Sequence, residues 1–293
     1  MTSESWQHGF TRVDGIRLHY VTQGEGKLAV LLHGFPEFWY SWRHQIPALA
    51  PHFKVVAPDL RGYNESDKPQ GVANYRLDLL TADVMGLIRS FGEEKALIIG
   101  HDWGGAVAWT FAAHYPQASE RLIVMNCPHP GAFQKHLRTN FRQLGRSWYM
   151  FFFQIPGLPE WLIRNNRRWF IERAFRGMAL RKEAFTDEDL ARFVEAIVKP
   201  GALTGAINYY RATFREFVRQ RERTFPQIVC PTLLIWGEND IALGKELTYN
   251  MEGYFTNRFA IKYIPQCSHW VQQEQPELVN RYMLEFLSDL TTP

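Results

Sequence analysis

Over the first 130 residues, short apolar runs alternate with stretches whose apolar residues recur at helical spacing. Residues 28–32, 54–57, 96–99 and 122–125 read as strands buried on both faces. Between them, residues 42–49, 75–91 and 106–115 carry the three-to-four-residue period of amphipathic helices. This alternation predicts strand-helix-strand units and a mostly parallel sheet flanked by helices, an α/β fold.

From about Gly131 to Phe225 the strand signal stops, and the texture becomes helical and rich in Arg, Trp, Phe and Tyr, with breaks at Pro156 and Pro159. Residues 231–236 and 259–264 resume the strand pattern, and residues 276–290 form a closing amphipathic helix. A helical insert is therefore expected inside an α/β core, with units at 1–130, 131–225 and 226–293.

Composition narrows the function classes. The insert holds 18 Lys and Arg against 9 Asp and Glu, so it carries about +9 and the remainder about −6 of a net +3. That net charge is too small for a generic nucleic-acid binder, and no binding module is recognisable. The opening residues, Met1 to Phe10, are polar and mixed and give no secretory signal, and no apolar run approaches the ~18 residues of an integral membrane span. Cys127, Cys230 and Cys267 are scattered and form no metal-type pair, so neither a disulfide framework nor a metal site is expected, and the cytoplasm is the default location. No phosphate loop or nucleotide fingerprint occurs, so no cofactor is expected.

Gly100-His101-Asp102-Trp103-Gly104 follows a strand and opens a helix, the layout of a nucleophile elbow with Asp in the place of Ser. The turn is so tight that side chains two residues either side would collide, which is why glycines flank it, and its central side chain is thrust above the sheet edge. An Asp that merely caps the helix would not require both glycines. His33-Gly34-Phe35-Pro36 follows the first core strand, where such a layout places an oxyanion-binding loop, with the Phe35 and Trp103 backbone N–H groups as donors. A cis bond before Pro36 would suit so sharp a loop. Taken alone, His33 reads as a satisfied core histidine.

Gly237-Glu238-Asn239-Asp240 follows the strand ending at Trp236, and Ser268-His269-Trp270 follows the next one. The chain order is then Asp102, Asp240, His269: nucleophile, acid, histidine. Singly, Asp240 could be a turn residue and His269 a structural histidine; the order of the three favours a joint role. Glu238 is the rival acid, and Asp240 is preferred because it lies further from the strand end, where the loop can reach the histidine.

Through His33-Gly34-Phe35-Pro36-Glu37, Gly100-His101-Asp102-Trp103-Gly104-Gly105, Gly237-Glu238-Asn239-Asp240 and His269-Trp270, the sequence resembles an epoxide hydrolase of the α/β-hydrolase fold along essentially its whole length. The resemblance implies a helical cap after the sixth strand and two cap tyrosines that polarise the epoxide oxygen. Tyr149 precedes Phe153-Gln154-Ile155-Pro156-Gly157, and Tyr210 lies in Asn208-Tyr209-Tyr210-Arg211, the positions that match. A small lipophilic epoxide and water are the implied partners.

The residue types suit that chemistry. A carboxylate at Asp102 attacks carbon without a base, leaving His269 free to activate water against the resulting ester, while Asp240 orients the imidazole. The alkoxide is a poor leaving group, so protonated tyrosines are valuable acids. A haloalkane dehalogenase shares the Asp elbow but usually carries Asn where Phe35 stands and lacks the tyrosine pair; fluoroacetate dehalogenases carry Arg beside the nucleophile, where this chain has Trp103 and Ala106. A ligand-binding receptor on the same fold is a third reading, against which the full set of residues speaks. Phe35, Trp103, Trp148, Phe151 and Phe152 are expected to wall an apolar pocket. The insert's arginines read as a solvated face, with an anionic lipid surface as the sharper alternative that no definite spacing supports. A homodimer paired through an apolar lid is compatible with this reading.

Overall fold

The computed structural model describes residues 6–219 and 224–290. The first five residues of the N-terminal stretch and residues 220–223 of the insert lie outside the described residues. Eight strands make one sheet: β1 (Gln7–Val13), β2 (Ile16–Gln23), β3 (Leu28–Leu32), β4 (Lys54–Pro58), β5 (Ala96–His101), β6 (Ser119–Met125), β7 (Thr232–Gly237) and β8 (Phe259–Ile264). Their order is β1-β2-β4-β3-β5-β6-β7-β8. From β3 onward neighbouring strands pair in parallel, with Val30 opposite Ile98, Ile99 opposite Ile123 and Val124 opposite Leu234. Strands β3 and β5 are buried along their whole length, as strands sandwiched between helices must be.

Around the sheet and after it run α1 (Gln45–Leu49), α2 (Leu77–Ser90), α3 (Trp103–His114), α4 (Pro130–Thr139), α5 (Phe141–Arg146), α6 (Trp148–Phe152), α7 (Leu158–Asn165), α8 (Arg167–Ala174), α9 (Asp187–Val198), α10 (Ala202–Arg219), α11 (Val271–Glu274) and α12 (Pro276–Phe286). Helix α3 is buried but for Ala106 and His114, so it lies between the sheet and other elements rather than at the surface. Helices α4 to α10 fall between β6 and β7, where the sequence loses its strand period. Among the described residues no helix is long and apolar enough to cross a membrane.

Two features differ from the sequence reading. The helix expected over residues 42–49 is shorter: a 3-10 turn (Trp39–Trp42) comes first, and α1 begins only at Gln45, because Pro47 has no N–H to bond to an earlier carbonyl and so belongs in a first turn. The antiparallel hairpin β1–β2 carries no strong apolar signal, since β1 is an edge strand with only its final residue buried. A signal for it does exist in Asp14-Gly15, both at positive φ, the dipeptide that turns a two-residue hairpin.

The loops leaving the carboxyl ends of β3, β5, β6, β7 and β8 meet at one edge of the sheet, the usual place for a ligand crevice in an open α/β sheet. The Phe35–Pro36 bond in the first of these loops is cis.

Candidate active site

Asp102 sits on the turn between β5 and α3 at φ 49°, ψ −120°, a conformation costly for a residue with a Cβ and held only by close surroundings. Those surroundings exclude side chains: a Cβ on Gly104 would lie 2.0 Å from the Leu32 carbonyl oxygen, and one on Gly100 would lie 2.3 Å from the Gly104 oxygen. The Asp102 side chain is 16% exposed, so a ligand can reach it. It also faces the amino end of α3, whose aligned peptide dipoles favour negative charge.

The Phe35 backbone N–H donates to Asp102 Oδ1 at 2.8 Å. Oδ2 faces the imidazole, with His269 Nε2 at 3.5 Å. Trp103 opens α3 directly after Asp102, but among the described residues its backbone N–H makes no hydrogen bond to the carboxylate. His33 is tied to backbone on both ring nitrogens, to the Gly34 oxygen at 3.0 Å and the Leu60 N–H at 3.0 Å, which fits a structural role in shaping the loop.

On its other side His269 Nδ1 lies 2.7 Å from Asp240 Oδ2. Asp240 in turn accepts the Ala242 and Leu243 N–H groups at 2.8 and 2.9 Å through Oδ1, and the Asn126 amide at 2.8 Å through Oδ2. Glu238 is turned away, bonded to Lys245. Asn126 is a residue the sequence reading missed. It stands at the end of β6 with φ 38° and also accepts the Gly237 N–H at 2.9 Å, joining the loops after β6 and β7 beneath the acid. A second omission lies behind the histidine. The buried Glu37 carboxylate accepts the Gly34 N–H at 2.9 Å and pairs with His101 Nδ1 at 2.8 Å, while His101 Nε2 is 2.9 Å from the His269 carbonyl oxygen.

Charge is held firmly in this arrangement. Burial opposes ionisation of Asp102, but the hydrogen bond and charge of His269 outweigh it and leave the carboxyl below its ordinary range. Asp240 is lowered in the same way, burial being overcome by His269 and its N–H donors. Burial also pulls His269 toward neutrality, yet the charge of Asp240 and the bond to Asp102 raise it to about 10.

Above the carboxylate is a cavity of about 240 Å³ whose walls include Asp102, Trp103, Tyr149, Phe151 and Tyr210. The two tyrosine rings stand edge to face, 5.8 Å apart, and Tyr210 packs on Trp103 at 4.9 Å. Burial, with the nearby charge of Asp102, pushes both phenols well above their usual range, so both keep their protons at neutral pH. Arg211 is what joins their two segments. Its guanidinium donates to the Phe153 and Ile155 carbonyl oxygens at 2.9 and 3.0 Å and forks onto both oxygens of Glu160 at 2.6 and 3.0 Å, tying α10 to the turn after α6.

Not every expected wall residue faces the cavity. Helix α6 turns Tyr149, Met150 and Phe151 inward, which sends Trp148 and Phe152, four apart and on one face, the other way. Trp148 is in consequence 64% exposed. Phe35 lies behind the lining, packed on Tyr210 and Phe153. Among the described residues no group of His, Cys, Asp and Glu is placed to hold a metal ion.

Comparison with known proteins follows the same lines. A family model described as alpha/beta hydrolase fold matches residues 28–276. The chain is 41% identical over 292 residues to Epoxide hydrolase 4 of Homo sapiens, covering 97% of this chain and 80% of that one. It is 41% identical over 283 residues to the AB hydrolase superfamily protein YfhM of Bacillus subtilis (strain 168), covering 96% and 97%. Among solved structures it is similar to Bacillus megaterium epoxide hydrolase in complex with an inhibitor, with TM-score 0.86, 34% identity, and coverage of 96% of this chain and 100% of that one.

Proposed function

This chain belongs to the α/β-hydrolase fold family, alongside the epoxide hydrolases, and from that premise we propose that it converts epoxides and water to vicinal diols through an ester on Asp102. The observation that carries the reading is a carboxylate facing two neutral phenols across one apolar cavity: a nucleophile below, acids above. Residues 131–225 act as the lid domain on a core made of 1–130 and 226–293.

In the first step Asp102 Oδ2 attacks an epoxide carbon, that carbon's ring C–O bond breaks, and the oxygen takes a proton from Tyr149 or Tyr210. In the second, His269 Nε2 takes a proton from water, and the hydroxide adds to the Asp102 Cγ. The charge that develops on Oδ1 is met by the Phe35 N–H and, as the centre becomes tetrahedral, by the Trp103 N–H. Collapse expels the diol oxygen, which takes the proton from His269, and the new Asp102 carboxylic acid returns a proton to the tyrosinate. The oxygen of water therefore stays in Asp102.

The high affinity of His269 for its proton fits this order. While Asp102 is ionised the imidazole holds a proton, and a protonated ring cannot act as base. Ester formation removes the Asp102 charge, and with it part of what raises the pKa, so the ring gives its proton up to solvent, serves as base in the second step, and takes a proton back from solvent once Asp102 is ionised again. The three cysteines, each buried and unpaired, suit a reducing cytoplasm.

Wild type and Asp102→Ala are to be assayed for diol from styrene, stilbene and fatty-acid epoxides, and for halide from chloroalkanes and bromoalkanes. Diol from wild type alone is expected. A single turnover in ¹⁸O-water should label Asp102 before the diol, and His269→Gln should accumulate the ester. Halide without diol, or label only in the diol, would overturn the proposal.

A further inference from the structure

The helical insertion turns an apolar stripe away from the molecule. On α7 the inner face carries Pro159, Glu160 and Ile163, all buried, while Leu158, Trp161 and Leu162, at i, i+3 and i+4, stand together on the outer face. Trp161 is 62% exposed, and Trp169 on α8 is 66% exposed. Monomeric soluble proteins seldom leave such a patch uncovered. The exposed charge on α7 and α8 is mostly positive, with Glu172 as the exposed acid among Arg164, Arg167, Arg168 and Arg173. Arg164, Arg167 and Arg168 are exposed, and no ion pair among the described residues engages them. The one acid between residues 155 and 171, Glu160, is buried under Arg211.

Beside the stripe lies a second cavity, of about 460 Å³. Buried Ile163, Ile197 and Leu203 line it together with the cations Arg164, Arg167 and Lys199, and no acid does, although Lys199 also bonds to Glu65. An apolar base under guanidinium groups matches an anionic amphiphile.

We propose that the α7–α8 face docks on an anionic lipid surface. Trp161, Leu162 and Trp169 sit at the boundary of headgroups and acyl chains, where indole rings are favoured, and Arg164, Arg167 and Arg168 lie among the lipid phosphates. Charge decides between this and pairing with a second copy. A two-fold contact through the same face would bring together two surfaces of net positive charge, whereas an anionic leaflet neutralises the guanidinium groups. The docking does not depend on the reaction proposed above.

The test is co-sedimentation of the full chain with vesicles of phosphatidylcholine and with vesicles of equimolar phosphatidylcholine and phosphatidylglycerol. Binding to the mixed vesicles alone is expected, weakened by salt. Replacing the three guanidiniums (Arg164→Gln, Arg167→Gln, Arg168→Gln) should weaken it on the order of a hundredfold. Trp161→Ser with Leu162→Ser should lose it even at low salt, while circular dichroism stays that of wild type. Equal binding to both vesicle types, or no binding to either, would overturn the proposal. So would a lipid-free dimer that Trp161→Ser dissociates, which would assign the face to a second copy.

Discussion

In the core, Asp59, Asp102 and Asp240 are largely buried carboxylates, and each is met by backbone N–H groups and a histidine: Trp39 N–H and His19, Phe35 N–H and His269, Ala242 and Leu243 N–H and again His269. Among the described residues the helical insertion has no such cluster at the cavity. Behind the cavity it buries the pair Arg211 with Glu160, its two cavity phenols stay neutral because burial keeps them so, and its outer face leaves indoles and guanidiniums in water. The contrast separates two ways of preparing a reactive group. An anion must be fixed by donors aimed at it, so it sits on loops anchored at strand ends. A neutral acid needs only desolvation and can ride on a helix, where one clamp sets its place.

If that division holds, removing both phenols should cost most. Tyr149→Phe with Tyr210→Phe should slow ester formation at Asp102 by at least ~10²–10⁴-fold in single-turnover experiments, while leaving the core carboxylates untouched. Near-normal epoxide opening would mean that the acid lies elsewhere. Next comes the clamp. Arg211→Ala leaves the Glu160 carboxylate buried without its partner and should cost about 3–5 kcal/mol of stability by chemical denaturation. Activity should fall as well, since the two tyrosine segments lose their link; a loss below ~1 kcal/mol would show that packing alone aligns them.

The smallest effect is expected at the junction of the two regions. His129 caps α4 by accepting the Gly131 N–H and stacks on Tyr254 at 4.1 Å, and burial drives its imidazole down to about 3. The unfolded chain, with a histidine near ~6.5, binds a proton that the folded chain refuses, so the contribution of this residue is whole above about pH 6.5 and is lost as pH falls toward 3. His129→Asn keeps a capping oxygen and removes the titration. Its deficit at pH 7 should shrink by about 1–2 kcal/mol by pH 5 in urea unfolding, whereas parallel curves would remove His129 from the acid response.

Much of the site can be read in the chain because its demands are local. The glycines at 100 and 104 are required by the turn that carries Asp102, and the loops holding Asp240 and His269 each follow an apolar strand. Asn126 was not legible, since an Asn after a strand is common and its meaning comes from Gly237 and Asp240, far along the sequence. Glu37 and His101 were visible only as motif letters, because their pairing is formed across the sheet edge. Trp148 was misplaced for a simpler reason: a five-residue helix has too little sequence to show which side faces in.

The sequence by itself determined the α/β alternation, the position of the helical insertion and the order Asp102, Asp240, His269, because strand period and glycine placement act over a few neighbouring residues. Tertiary structure alone decided that Asn126 sits beneath Asp240, that Arg211 brings Tyr149 and Tyr210 to one cavity, and that Trp161 faces outward. These depend on which distant segments pack together, and no local energy in the chain encodes that choice.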